Sequence, residues 1–152
     1  MKVIEGYEDY SIDEDGNVYS MKSGELKKLK PTKNSCGYLQ VALSKNGKVK
    51  IFKVHRLVYK TFIKDILKDM EIDHIDKDKT NNKLNNLRLV THQQNNFNRN
   101  AKGYSWNKRL KKWMAYIKLN AKYIHLGFFD IEAEASAAYL AAKEKLHIIP
   151  ST

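Results

Sequence analysis

Apolar and polar positions alternate with a period of two in residues 38–43 (Tyr38, Leu39, Gln40, Val41, Ala42, Leu43), and a second strand-like run covers residues 48–52. Asn46-Gly47 lies between them, a pair suited to the positive φ angles of a tight turn, so the two runs predict a β-hairpin. An earlier hairpin is predicted where Asp15-Gly16-Asn17 separates Tyr10-Ser11-Ile12 from Val18-Tyr19-Ser20. The connector between the hairpins, residues 26–33, is basic, and Pro31 disfavours a helix there. It is either a solvated face or a phosphate contact. At residue 54 the period changes: Val54, Leu57, Val58 and Phe62 share one face of a short helix. His55 and Arg56 lie off that stripe, at the surface or bordering a site, and a supporting role is expected of them.

Residues 63–71 read as a connector of mixed charge, and 72–74 as a short strand. A loop dense in Asp and Asn follows at 76–85, then a second strand at 87–90. Thr91 with Gln94 three residues on has capping-box spacing and starts a helix. Residues 96–103 form a polar linker. Beyond it, 104–107, 113–119 and 123–129 read as three strands with short basic connections. Asp130 is the expected N-cap of a last helix, with Glu132 and Glu134 near its positive end. On that helix Ala135, Ala138, Tyr139, Ala142 and Leu146 share a face, whose small side chains allow close approach to a sheet. Alternation puts Met114, Tyr116 and Lys118 on the other face of the sheet, with Tyr123 and His125 beside them, and Trp113, Ala115 and Ile117 inward.

The fold class expected is therefore α+β with several thin cores: a small N-terminal β-rich module, a strand-loop-strand-helix core, and a C-terminal three-stranded antiparallel sheet packed on one helix. At 152 residues, one ordinary domain or two to three small ones are possible.

Charge narrows the partner. The formal net charge of +11 favours an acidic polymer, because Lys and Arg gain affinity by releasing counterions from phosphates. Only the first 20 residues run the other way, with six carboxylates among them. One cysteine, Cys36, excludes an internal disulfide framework. No apolar run approaches a membrane span, and Met1-Lys2-Val3-Ile4-Glu5 lacks the apolar core of a signal peptide. The expected location is intracellular, the cytoplasm of a bacterial or phage-infected cell, with no membrane partner.

Potential chemistry concentrates at Asp73-His74 and the loop after it. Hydrolysis of a phosphodiester needs a base near neutral pH, charge stabilisation at the phosphate and help for the leaving oxygen. His74 suits the first task, and a divalent cation held by Asp73 suits the others. In an extended strand the two side chains point to opposite sides, which demands a twist or chemistry across an edge. Asn95, four residues after Thr91, is a second oxygen donor, and Asn86 is placed to brace the loop through bonds to backbone. Asp76, Asp78, Asn81, Asn82 and Asn85 read as turn-formers, with Asp76 a possible outer-shell residue.

The run from Val54-His55-Arg56-Leu57-Val58 through Asp73-His74, Asn81-Asn82, Asn86-Leu87 and Val90-Thr91 to Asn95 resembles the HNH endonucleases of the homing, intron-encoded or phage-borne kind. The resemblance implies a ββα-metal fold in which His74 is the general base, Asp73 and Asn95 are metal ligands and Asn86 stabilises the loop. The implied cofactor is a divalent ion, Mg²⁺ with Mn²⁺ as the alternative, and the implied partner is double-stranded DNA. Lys77 stands where such proteins often have Gly, which should alter the turn but not the ligands. Residues 4 to about 50 resemble the small module that precedes this type of nuclease. Residues 103–147 resemble the APETALA2/ethylene-response-factor domain, through Trp113, Ala115, Ile117, His125-Leu126-Gly127, Phe129 and the Ala-rich helix. The resulting division is 1–52, 53–100 and 103–148.

That last family lays its sheet in the major groove, which makes Tyr116, Lys118, Tyr123 and His125 DNA-facing candidates. Lys108, Arg109, Lys111 and Lys112 are the candidate phosphate contacts, with an exposed basic turn as their simpler explanation. The scarcity of Arg on the outer face implies anchorage with moderate base specificity. Three modules in series suggest a monomer on an extended site. The competing expectation is a DNA-binding regulator with an inactive nuclease module; a structural or RNA-binding role ranks behind both.

Overall fold

The computed structural model describes residues 1–63, 65–99 and 101–149. Lys64 of the 63–71 connector and Asn100 of the 96–103 linker lie outside them. The chain forms two compact units, Met1–Thr91 and His92–Thr152.

In the first unit, β1 (Lys2–Ile4), β2 (Tyr7–Ile12), β3 (Val18–Ser20) and β4 (Lys27–Lys28) make an antiparallel sheet in chain order. A second antiparallel sheet holds β5 (Thr32–Lys33), β6 (Leu39–Lys45) and β7 (Lys48–Lys53). Lys45 pairs with Lys48 across Asn46 and Gly47, whose φ values of 51° and 73° are those of the hairpin turn expected there. The basic connector is more than a loop: β4 and β5 lie on either side of Pro31 as short edge strands.

Helix α1 (Val54–Phe62) begins and ends where the apolar period does. It buries Val54, Leu57 and Val58, and also Tyr59 and His55. The last of these removes the surface alternative for His55, whereas Arg56 is exposed. The antiparallel pair β8 (Met70–His74) and β9 (Leu87–Thr91) follows, with a 3-10 turn at Leu84–Asn86 leading into β9.

One apolar cluster joins Ile4, Tyr10, Ile12 and Val18 to Val41 and Leu43, to α1, and to Ile72 and Leu87. One cluster thus serves both the N-terminal module and the region of α1, β8 and β9. Each fully buried aliphatic side chain in it, such as Ile12, Leu43 or Val58, contributes about 1.5–3 kcal/mol.

The second unit contains α2 (His92–Phe97), then β10 (Tyr104–Asn107), β11 (Lys112–Leu119) and β12 (Lys122–Phe129) as an antiparallel sheet in that order, then α3 (Glu132–Leu146). Ala115 and Ile117 of β11 and Ala135 and Tyr139 of α3 are buried. Asp130 is not the cap expected: Ile131 takes that position without a side-chain bond, and the Asp130 carboxylate pairs instead with Lys112 Nζ at 3.1 Å. Glu132 and Glu134 do occupy the first turn. No helix among the described residues is long and apolar enough to cross a membrane.

Two outcomes are expected. A Cβ at Gly103 would lie 1.9 Å from Tyr139 Cδ2, so Gly103→Ala should destabilise the second unit by roughly 1–3 kcal/mol through overpacking, measurable by calorimetry. For His55, burial first, then the charges of His74, Lys53 and Arg56, lower the pKa from 6.5 to about 3. The unfolded chain then binds a proton below pH 6.5 that the folded chain refuses. Its contribution to stability is complete above that pH and falls as pH drops towards 3, at up to ~1.4 kcal/mol per pH unit. Urea unfolding at stepped pH should show this slope, and His55→Phe should flatten it by about one proton.

Candidate active site

Strand β8 ends in Asp73 and His74, and the antiparallel register sets Arg88 of β9 opposite Asp73 and Leu87 opposite His74. Asp73 is buried, and its Oδ2 accepts two bonds from the Arg88 guanidinium, from Nε at 3.0 Å and from Nη2 at 2.8 Å. Both side chains of this pair are largely removed from water, 12% exposed for Arg88 and 7% for Asp73. Removing one partner from such a pair would leave the other charge buried and uncompensated.

The His74 ring has different neighbours. Its Nε2 lies 3.1 Å from Asn82 Oδ1, and Asn82 Nδ2 donates to the Thr80 carbonyl at 3.1 Å. A carbonyl can only accept, so Asn82 turns its NH₂ to Thr80 and its oxygen to the imidazole. His74 must then donate from Nε2, which in the neutral ring puts the basic lone pair on Nδ1. The His55 ring stands edge-on to His74, with centroids 5.1 Å apart and planes at 77°. Tyr38 packs against both, at 4.9 Å from His55 and 5.9 Å from His74, and carries Lys53 and Lys79 ammonium groups 4.9 Å from its own centroid. His55 Nδ1 is buried without a hydrogen-bond partner, which agrees with a ring that stays neutral.

Asn86 ties the loop between the strands. Its Oδ1 accepts the Asp76 N–H at 3.1 Å, and its Nδ2 donates to Asp76 Oδ1 at 2.9 Å and to the Asn81 carbonyl at 2.8 Å. The Asn86 carbonyl accepts from Ile75 N–H at 2.9 Å. The amides of Asn86 and Asn81 hold the Asp76 carboxyl below its usual range. Lys77 adopts a φ of +67°, the left-handed conformation that glycine takes with less strain.

Asn95 is half-buried on α2 in the second unit. In that unit Lys108, Arg109 and Lys111 are exposed around the β10–β11 turn, where Asn107 Oδ1 accepts the N–H groups of Arg109 and Leu110. Tyr116 pairs with His125 and Lys118 with Tyr123 across β11 and β12, so the four side chains share the sheet face opposite to Ala115 and Ile117. The Tyr116 and Tyr123 rings meet edge-on at 5.6 Å, and Lys118 Nζ lies 5.3 Å from the Tyr123 centroid.

Three partners of the expected residues escaped the pattern of the sequence. Arg88 was hidden because the irregular loop gives no register for the strands. Asn82 has the spelling of a turn-former yet is buried on the histidine. Tyr38, which begins the run before β6, had no chemical signature of its own. Arg88 orients the buried Asp73 carboxylate, an oxygen donor of the hard kind that Mg²⁺ accepts beside water and phosphate oxygens. Among the described residues no three His, Cys, Asp or Glu side chains gather as a structural zinc site needs.

Residues 52–97 match the HNH endonuclease family and residues 2–44 the NUMOD4 motif. The chain is 37% identical over 144 residues to the DNA endonuclease I-HmuI of Bacillus phage SP01, covering 94% of this chain and 81% of that one. It is 37% identical over 94 residues to the H-N-H endonuclease F-TflII of Escherichia phage T5, covering 60% of this chain and 48% of that relative. A solved structure of the HNH homing endonuclease I-HmuI, concerned with DNA binding and cleavage, superposes with a TM-score of 0.59 at 44% identity, over 64% of this chain and 55% of the other. With a buried Asp-His pair at the end of β8, a loop tied by Asn86 and a relative aligned over most of both lengths, the chain belongs to the HNH endonuclease family.

Proposed function

We infer that this protein is a DNA endonuclease of the homing type that hydrolyses phosphodiester bonds of duplex DNA at a recognised site, with Mg²⁺ as its working cation and Mn²⁺ as a substitute. The observation that carries this is the contact of His74 Nε2 with Asn82 Oδ1 at 3.1 Å. A ring that donates from Nε2 to Asn82 has its basic nitrogen at Nδ1, and there it takes the proton of the attacking water. Asp73, held by Arg88, is a side chain that would hold the cation, and the family resemblance assigns Asn95 as the second ligand. When bound, a divalent cation stabilises charge on the scissile phosphate and on the leaving oxygen. Asn86 acts through the loop, keeping residues 75–81 in one conformation beside His74.

DNA is held by the basic surface. Lys108, Arg109, Lys111 and Lys112 contact phosphates, and the face with Tyr116, Lys118, Tyr123 and His125 lies against the bases in the manner of the APETALA2 sheet. Lys112 must exchange Asp130 for phosphate, a small cost for an exposed pair. The protein works as a monomer inside the cell, on an asymmetric site.

Incubation with random-sequence duplex DNA and Mg²⁺, followed by mapping of the ends, should give discrete cut sites that vanish with EDTA. On the site so found, His74→Ala should lower the single-turnover rate by ~10²-fold or more. Cleavage at the wild-type rate by that variant would remove His74 from the base role. Salt-sensitive binding without cutting under any divalent ion would favour a regulator instead.

A further inference from the structure

Asn82 does not stand alone behind His74. The turn at residues 13–17, between β2 and β3 of the N-terminal module, presses on it from the other side. Gly16 has a φ of +83°, and a Cβ there would lie 2.9 Å from Asn82 Cβ, 3.2 Å from the Asn82 carbonyl oxygen and 3.3 Å from Val54 Cγ1. The Glu14 carbonyl accepts the N–H of Leu84 at 2.7 Å, which fixes the same loop two residues further on.

The turn itself is stiff. Asp13 Oδ1 accepts the N–H groups of Asp15 at 3.1 Å and Asn17 at 2.8 Å, while Oδ2 accepts Asn17 Nδ2 and the Tyr19 hydroxyl, both at 2.9 Å. The backbone closes it again, through Asp13 N–H to the Asn17 carbonyl at 3.0 Å and Gly16 N–H to the Asp13 carbonyl at 3.1 Å. Asn82, at 3% exposure, is thus held between a rigid turn and the imidazole. Its backbone is stopped by Gly16, its amide is oriented by Thr80, and its oxygen meets His74.

We propose that Asn82 is a positioning residue that sets the tautomer and aim of His74, and that the 13–17 turn of the N-terminal module is the stop that holds Asn82 there. The module then governs how fast the nuclease cuts. This rests on His74 being the base. The glycine is required twice over, since its φ suits glycine best and its hydrogen faces a contact that a methyl group cannot share.

The test uses the full chain. ¹⁵N NMR of the histidine rings above pH 7 reads the tautomer without DNA or metal. The wild type should show His74 protonated at Nε2, Asn82→Asp should retain that tautomer because an acceptor remains, and Asn82→Leu should lose it. Gly16→Ala, remote from the chemistry, should shift the His74 signals part of the way. On the mapped DNA site with Mg²⁺, Asn82→Leu should cut about 10- to 100-fold more slowly and Gly16→Ala about 10-fold more slowly, with unchanged DNA affinity.

Wild-type ring signals in Asn82→Leu would overturn the positioning role. A Gly16→Ala chain that weakens DNA binding alone, or changes nothing, would overturn the stop. If Asn82→Leu does not fold, loss of the Nε2 tautomer in Asn82→Asp refutes the proposal equally well. Should His74→Ala cut normally, the base assignment fails while the NMR result still decides what Asn82 does.

Discussion

Burying polar groups obliges a fold to satisfy them, and that obligation shapes the first unit. His74, Asp73, Asn82 and Asn86 are each at or below 8% exposure, where an unmet hydrogen bond costs about 1–3 kcal/mol. Each one therefore has a specific partner, and the partners are mutually dependent. Thr80 orients Asn82, Asn82 orients His74, Arg88 holds Asp73, and Asn86 closes the loop that carries Thr80 and Asn82. Little of this polar loop could keep its geometry in water alone. It needs the apolar cluster below it, which is why one core runs from Ile4 to Leu87.

Among the described residues of this unit, His55 Nδ1 and Ser11 Oγ are exceptions, and His55 clarifies the rule. It is buried as deeply as the others, yet its Nδ1 has no hydrogen-bond partner. The cost is bearable because an imidazole can shed its charge, and the low pKa imposed by burial is the form that this takes. A neutral ring wedged between Tyr38 and His74 contributes shape without adding charge. Asp73 and Arg88 handle burial by the other route, cancelling charge between them.

How legible this was depended on whether a feature was local. The Asn46-Gly47 hairpin, the limits of α1 and the three strands of the second unit follow from period and turn chemistry that a short window displays. Asp73 and His74 stood out because two chemically distinct groups adjoin. By contrast β4 and β5 have two residues each, too few for any pattern. The helical wheel set His55 aside because it assumes one buried face, whereas α1 packs on the apolar core along one side and on the polar cluster along another. Asn82 is spelled like its neighbours Asn81, Asn85 and Asn86, and only the fold distinguishes a turn-former from the partner of the His74 ring. Register hid Arg88 for the same reason, since an irregular loop fixes pairing by tertiary contacts rather than by length.

The two tasks inferred for the chain, drawing in a polyanion and extracting a proton, rest on different physics. A formal charge of +11 favours the approach of DNA. Extracting a proton is a matter of geometry, because a neutral imidazole accepts at one nitrogen only. With the Nε2 hydrogen of His74 committed to Asn82, that nitrogen is Nδ1, and the ring is aimed before the polyanion arrives.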